Sequence, residues 1–268
     1  MKVLNPTSSL GKNYTVAEKL LLLMSGKPKV SDCQSTEEDW NLDNALSTLS
    51  KVFPDFLNLI NSKRILDFGC GTGYQSVALV KNGAKYVLGV DMNQKCLEKA
   101  RELAANFGLG RQIEFMDKVE NNFSGSFDIA ISQNSMEHFN DPVKILDEIK
   151  SAMKKGGIIF ITFGPLWFSP YGSHMQFFTA MPWVNIIFDE KTVMAVRSRF
   201  RNDSATKYEE VEGGLNKMTV SKFERLIANS GMKIKYIKHD CVRNIGFLGK
   251  LPVIRELFIN QISCMLTV

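Results

Sequence analysis

The chain has 268 residues, of which 44% are hydrophobic and 23% charged, an ordinary balance for a soluble globular protein of one domain with room for an elaboration. Its 33 basic and 28 acidic residues give a net charge of +5, which a solvated surface explains without a nucleic acid or an anionic lipid. Five cysteines without a C-x-x-C pair favour reduced thiols over a disulfide framework or a zinc site.

The N-terminal residues lack the layout of a signal peptide, and the apolar run over 20–24 is much shorter than the about 20 residues that span a bilayer. We therefore expect a soluble, cytoplasmic protein. Residues 1–62 are predicted to form a helical N-terminal extension, and residues 63–268 the main domain. The helices predicted in the extension cover 15–24, begin at an N-cap at Thr36, and cover 54–60.

A glycine-rich turn follows the first predicted strand, where residues 64–73 read R-I-L-D-F-G-C-G-T-G. The apolar residues and Asp67 predict a buried strand, and three alternating glycines predict a sharp turn without side chains that would keep a ligand away. A helix is predicted to begin at once, over 73–82. Strand, turn and helix together predict a nucleotide site at the carboxyl edge of a parallel sheet.

The spacing of the glycines indicates which nucleotide is bound. The dinucleotide fingerprint G-x-G-x-x-G needs its third glycine at the position of Tyr74, and the phosphate loop G-x-x-x-x-G-K-[ST] is absent from this turn. The acid before the turn suits a ligand that carries a positive amino group and no phosphate. The pattern resembles the first motif of the class I S-adenosylmethionine-dependent methyltransferases, in which an apolar strand and an acid precede G-x-G-x-G.

This resemblance implies an α/β fold: a Rossmann-like, seven-stranded, mostly parallel sheet with helices on both faces. It implies S-adenosylmethionine as the cofactor, bound around Asp67, Gly69, Gly71 and Gly73. The alternation of apolar and amphipathic stretches agrees with such a sheet. Strands are predicted over 64–68, 85–90, 111–116, 127–132 and 156–163, with helices over 73–82, 93–107 and 141–153.

Two acids follow the second and third predicted strands. Asp91 can accept hydrogen bonds from both ribose hydroxyls of an adenosine, whereas the alternative is an N-cap for the next helix. The resemblance implies that Met92 lies against the adenine ring and that Asp117 accepts a bond from the adenine amine. For Asp117 a solvated turn acid is the alternative.

The fourth strand and its loop read F-D-I-A-I-S-Q-N-S-M-E-H-F over 127–139 and resemble the corresponding segment of small-molecule methyltransferases. The resemblance implies that Gln133 and Asn134 line the sulfonium end of the cofactor and the acceptor. Some quinone O-methyltransferases carry a metal-binding Glu where this chain has Asn134, so we expect no metal. His138 is a candidate general base. The alternative is structural, with Glu137 bracing the loop and the histidine packed on the sheet.

Residues 164–215 interrupt the alternation and are rich in aromatic residues and methionine. In the family a lid is commonly inserted here, and we expect an apolar acceptor pocket with few polar groups. Trp167 and Tyr171 are candidate acceptor contacts, and His174 is a second candidate base or a packed lid residue. The stretch resembles one found in bacterial type-11 methyltransferases of unassigned substrate.

Three arginines, at 197, 199 and 201, follow in this insertion. They are candidates for binding an anionic group of the acceptor, although a solvated edge is the favoured interpretation. An interfacial helix near 183–200 is a further alternative that would allow peripheral membrane contact. After the insertion, a helix over 219–229, a strand over 234–237, a helix over 252–258 and a last antiparallel strand over 259–268 are predicted.

The sequence thus predicts methyl transfer to a small organic acceptor by direct displacement, with a sugar, lipid-linked or aromatic hydroxyl as the methylated group. Three alternatives stay open. They are a nucleotide-dependent oxidoreductase, a non-catalytic S-adenosylmethionine-binding module, and a methyltransferase that acts on RNA or protein. The modest charge and the aromatic insertion argue against the last.

Overall fold

The structure is a computed structural model that describes residues 14–26, 41–211, 213–242, 246, 248–252 and 254–268. The helices are α1 (Val16–Leu23), α2 (Ser47–Val52), α3 (Phe56–Ile60), α4 (Tyr74–Lys81), α5 (Gln94–Asn106), α6 (Pro142–Ala152), α7 (Val184–Ile187), α8 (Glu190–Arg197), α9 (Val220–Asn229) and α10 (Arg255–Phe258). The strands are β1 (Arg64–Phe68), β2 (Tyr86–Val90), β3 (Ile113–Met116), β4 (Phe127–Gln133), β5 (Met153–Phe163), β6 (Lys233–Cys241) and β7 (Ile259–Thr267). The N-cap predicted at Thr36 lies outside the described residues.

The strands form one seven-stranded sheet in the order β3-β2-β1-β4-β5-β7-β6. The five strands from β3 to β5 are parallel, and β7 is antiparallel to both of its neighbours. The predicted fold class is therefore confirmed. The chain moves outward from β1 through β2 to β3 and then returns to β4 on the other side of β1. A ligand site is expected at this switch point, where the carboxyl ends of β1 and β4 diverge.

Helices cover both faces of the sheet. Apolar side chains of α2, α3, α4 and α5 pack on one face, and those of α6 and α9 pack on the other. The rings of Phe53 and Phe56 contact Phe160 of β5, with centroids 4.8 Å and 5.4 Å apart. Helices α2 and α3, which lie within the predicted N-terminal extension, thus share a hydrophobic core with the sheet.

The insertion between β5 and α9 has a hydrophobic core of its own, which we call the lid core. It contains buried side chains from α7, α8 and the connecting segments, among them Phe178, Val193 and Tyr208. Helix α1 was predicted from its sequence and is confirmed, with Thr15 as the N-cap in a capping box. Its Leu21 is fully buried in the lid core, so the lid is built from two distant parts of the chain.

The predicted solvated edge at the three arginines is wrong for Arg197. This side chain is only 4% exposed, and its guanidinium donates bonds of 2.6 Å and 2.5 Å to the two carboxylate oxygens of Asp203. The charged guanidinium can be buried because the two bonds to Asp203 offset part of its lost hydration.

The segment proposed as an interfacial helix is divided into α7 and α8 at Asp189, which caps α8 by accepting a bond from the Thr192 amide. Ile186 and Ile187 of α7 are exposed, whereas most apolar residues of α8 are buried against the lid core. Within the described ranges, every helix is too short or too polar to cross a membrane.

Candidate cofactor and acceptor site

The glycine turn between β1 and α4 adopts a backbone that favours glycine. Gly69, Gly71 and Gly73 have φ values of +84°, +52° and +82°. A Cβ atom on Gly69 would lie 2.1 Å from the Ser135 hydroxyl oxygen, so glycine is required for the loop after β4 to approach. Beside Gly71, by contrast, no atom of the described residues lies within 4 Å of a side-chain position. The turn is therefore closed by protein at Gly69 and open at Gly71.

Asp67 at the end of β1 is fully buried and holds the start of α4. Its two carboxylate oxygens accept bonds of 2.6 Å from the Gln75 amide and the Ser76 hydroxyl. Burial raises the pKa of this carboxyl to about 6, although both hydrogen bonds act in the opposite direction. The carboxylate therefore fixes the helix that follows the glycine turn.

Asp91 at the end of β2 connects the strand to the glycine turn. One carboxylate oxygen accepts a 2.9 Å bond from the Gly71 amide and the other a 2.8 Å bond from the Asn93 amide. The alternative role of Asp91 as an N-cap is wrong, because the Asn93 side chain caps α5 through bonds from Lys95 and Cys96. Asp91 is thus positioned beside the open part of the turn.

The next two predicted cofactor contacts lie at the same edge. Met92 follows Asp91 and is 78% exposed. Asp117 is exposed directly after β3, whose last residue, Met116, accepts a bond from the Asp91 amide at 3.1 Å. The strand ends therefore bring these three side chains to one edge of the sheet, as the sequence predicted.

The loop after β4 faces the glycine turn. Gln133 is 8% exposed, and its amide oxygen has no hydrogen-bond partner in the described part of the chain. Asn134 is exposed with φ +52°, and its amide donates to the Thr162 carbonyl at 2.7 Å. Ser135 closes the loop by donating from its hydroxyl to the Gln133 carbonyl at 2.9 Å. Sequence analysis missed Ser135 because its importance comes from its contact with Gly69, which no local pattern indicates.

The two candidate bases lie together, with ring centroids 5.4 Å apart at 81°. His138 Nδ1 is 2.7 Å from the Gly214 carbonyl oxygen. A carbonyl only accepts hydrogen bonds, so Nδ1 must carry the hydrogen, and a neutral ring then has its lone pair on Nε2. His138 is partly exposed and can therefore take up a proton at Nε2.

His174 is less suited to take up a proton. Its Nε2 is buried without a partner among the described residues, and its φ is +56°. Burial, with a smaller contribution from the neighbouring His138, lowers the pKa of the imidazole from 6.5 to about 4. The geometry therefore favours His138 as the base and places His174 against its ring.

The two other candidate acceptor contacts, Tyr171 and Trp167, belong to the same segment of the insertion as His174. The Tyr171 carbonyl accepts a bond from the His174 amide at 3.0 Å, and the Tyr171 side chain is partly exposed. The Trp167 ring packs edge-on against Tyr208 with centroids 4.8 Å apart. Trp167 thus has one side in the lid core, and contact with an acceptor remains a prediction for both residues.

The low pKa of His174 predicts a pH-dependent stability. Between pH 6.5 and about 4 the unfolded chain binds a proton on this imidazole while the folded chain does not, so the folded state loses stability as the pH falls. His174→Asn removes this titration, and asparagine tolerates a positive φ. We expect the free energy of unfolding of the variant to improve relative to wild type by roughly 3 kcal/mol between pH 7 and 4.

Urea denaturation of both proteins across this pH range measures the effect. Asp67, whose raised pKa acts in the opposite direction, is present in both and cancels in the difference. A difference between the two proteins that stays constant with pH would contradict a buried, neutral His174.

Comparison with known proteins identifies this arrangement. Residues 60–165, which include the glycine turn, Asp91 and His138, match the sequence model of a methyltransferase domain. The similarity is to the class I S-adenosylmethionine-dependent methyltransferases. The cofactor of this family is S-adenosylmethionine, and the resemblance stated from the sequence is confirmed.

Relatives of the methyltransferase domain agree with this assignment. A ubiquinone biosynthesis O-methyltransferase of Idiomarina loihiensis is 33% identical over 134 residues, which are 46% of this chain and 54% of that protein. A similar relative of Actinobacillus pleuropneumoniae is 35% identical over 111 residues, or 39% of this chain and 47% of that protein. The chain thus spans about half the length of these curated relatives.

Solved structures support the fold. An S-adenosylmethionine-dependent methyltransferase of Mesorhizobium loti has a TM-score of 0.55 at 19% identity, covering 85% of this chain and 100% of that one. The methyltransferase match ends at residue 165, so most of the lid lies beyond it.

Proposed function

We propose that this chain transfers the methyl group of S-adenosylmethionine to a hydroxyl group of a small organic acceptor. One observation carries the proposal. The loop that bears His138 packs its Ser135 against Gly69 of the glycine turn, and the Nδ1 bond to Gly214 leaves the lone pair of a neutral His138 ring on Nε2. A proton acceptor is thereby carried on a loop at the edge where the family binds its cofactor. A cofactor turn and a proton acceptor at one sheet edge are the two parts that O-methylation requires.

The residues at this edge fit the cofactor. The space beside Gly71 admits a ligand, and Asp91 can accept bonds from ribose hydroxyls while it holds the Gly71 amide. The buried amide oxygen of Gln133 lacks a partner in the described structure, and a positively charged group of the ligand would satisfy it. Met92 is exposed where the adenine is expected, and Asp117 follows the neighbouring strand.

For methyl transfer to a hydroxyl, the protein must position the two substrates and accept one proton. The bound cofactor supplies an activated methyl group. His138 would accept the proton of the acceptor hydroxyl at Nε2 while the new oxygen–methyl bond replaces the methyl–sulfur bond and S-adenosylhomocysteine leaves with the sulfur electron pair. The Nδ1 hydrogen bond to the Gly214 carbonyl would stabilise the resulting imidazolium. The lid and the loop after β4 exclude water and align the hydroxyl.

The acceptor is proposed to be an aromatic hydroxyl. The named relatives are O-methyltransferases of ubiquinone biosynthesis, and the lid of this chain is rich in aromatic side chains and contributes His174, whose ring lies against His138. Trp167, Tyr171 and Asn134 are the proposed acceptor contacts. A sugar or lipid-linked hydroxyl is the second candidate, since most of the lid lies outside residues 60–165, the part of the chain that matches the methyltransferase model.

The test is a methyl-transfer assay with the purified chain. We expect S-adenosylhomocysteine release and a mass increase of one methylene in at least one member of a panel of phenols, catechols, sugars and lipid-linked alcohols. Binding of S-adenosylmethionine without any methylated product from the panel or from cell extracts would favour a non-catalytic module. Binding of NADH but not of S-adenosylhomocysteine would overturn the proposal in favour of an oxidoreductase.

A further inference from the structure

The segment that leaves the lid, residues 213–216, is hydrogen-bonded along the loop that bears His138. The Asn216 side-chain amide donates to the carbonyls of Met136 and Phe139, both at 2.8 Å, and its backbone amide donates to the Glu137 carbonyl at 3.0 Å. The Gly214 carbonyl accepts the bond from His138 Nδ1. The two segments are almost eighty residues apart in the chain, so only the tertiary fold brings them together.

The side chain of Asn216 is suited to binding two carbonyl groups of the loop that bears His138. Residues 136–138 form a single 3-10 turn, which leaves its carbonyls without regular helical partners. An asparagine amide has two N–H donors on one short side chain and can serve two carbonyls at once. Aspartate has no donor, and serine has one. Asn216 thus fixes both ends of the turn, while its own backbone fixes the middle.

Glycines bring the backbone of this segment close to the imidazole. Gly213 and Gly214 have φ values of +80° and +65°, and a Cβ atom on Gly213 would lie 3.3 Å from His138 Nδ1. A side chain there would crowd the ring. The backbone can therefore present the Gly214 carbonyl to Nδ1 because these residues are glycines.

We propose that Asn216 is a positioning residue that fixes the orientation and tautomer of His138. The proposal rests on the proposed function for the role of His138 as a base, but its geometric claim stands separately. With Asn216 in place, the turn presents Nδ1 to Gly214, so Nε2 keeps its lone pair. Without the two side-chain bonds, the turn relaxes, the Nδ1 contact is lost, and both tautomers are populated.

The experiment is long-range ¹H–¹⁵N NMR of the imidazoles in the full chain, which has three histidines. The pH is set about two units above the ordinary histidine pKa, so that a neutral ring is observed. Signals are assigned with His174→Asn and His239→Gln. We expect His138 to be protonated at Nδ1 in the wild type, and to show a mixture of tautomers in Asn216→Ala.

The matched control is Asn82→Ala, which removes a side-chain bond to the Ala78 carbonyl at the end of α4, away from the His138 loop. The control should leave the His138 signals unchanged. An unchanged His138 tautomer in folded Asn216→Ala would overturn the proposal. If Asn216→Ala does not fold, Asn216→Ser, which keeps one donor, replaces it in the experiment. In the wild type, a His138 ring protonated only at Nε2 would by itself overturn the proposal.

Activity then separates this proposal from the proposed function. Asn216→Ala is expected to lower kcat about tenfold or more, within the range that a general base contributes, with the acceptor KM and S-adenosylhomocysteine affinity unchanged. An altered tautomer with full kcat would overturn the positioning role. Absence of methyl transfer in the wild type, with the expected tautomer shift in the variant, would refute the proposed function alone.

Discussion

Replacing His138 with glutamine is expected to lower kcat by about 10²–10⁴-fold, the contribution typical of a general base. Glutamine keeps an N–H donor for the Gly214 carbonyl, so the loop that bears residue 138 can retain its hydrogen bond. It cannot take up a proton from the acceptor hydroxyl. The expected change is therefore confined to kcat, with the affinity for S-adenosylhomocysteine preserved.

Steady-state kinetics and calorimetric titration with S-adenosylhomocysteine measure the two parts of this expectation. His239→Gln is the matched control, because His239 lies on β6 and its ring is near Glu224, apart from the candidate site. Wild-type turnover in His138→Gln would remove this residue from the chemistry. A larger loss in His174→Asn than in His138→Gln would transfer the role of base to His174.

Replacing Asp91 with alanine is expected to weaken S-adenosylhomocysteine binding by about 1–3 kcal/mol, or roughly 5- to 150-fold in Kd. The variant loses the proposed acceptor of the ribose hydroxyls. It also loses the bond that orders the Gly71 amide within the glycine turn. The first loss removes bonds to the ligand, and the second leaves the glycine turn to be ordered when the ligand binds. Both therefore weaken binding without an acceptor present.

Calorimetry with S-adenosylhomocysteine tests this expectation, and a far-UV spectrum confirms that the variant is folded. The matched control is Asp147→Ala, which removes an exposed acid of α6 on the helical layer distant from the glycine turn. Equal affinity of folded Asp91→Ala and wild type would exclude Asp91 from the cofactor site.

Much of the sheet could be predicted because its signals are local. The apolar strands, the glycine turn and the acids at the ends of β1 and β2 have fixed spacing, and parallel strands place their carboxyl ends at one edge. A local signal also argues against the alternative role of Asp91 as a helix cap. Asn93 stands directly before the helical residues, whereas Asp91 stands two residues earlier.

The remaining features depend on contacts between distant segments. Arg197 is buried because it pairs with Asp203. The apolar residues around Arg197 come from α8 and the lid core, so its burial could not be predicted from the arginines alone. The bonds of Asn216 to the His138 loop have no signature in either segment. Sequence reasoning therefore proposed two histidines as bases, and the tertiary contacts distinguished between them.

The burial of Leu21 in the lid core limits how the acceptor specificity of this protein can be redesigned. An exchange of residues 164–215 with the equivalent insertion of a relative would treat the lid as a contiguous cassette. The transplanted residues would then pack against Leu21 of the original α1, which fits the side chains of the original lid core. A functional chimaera must therefore carry two segments from the same donor, the insertion and the helix that precedes the sheet by some forty residues.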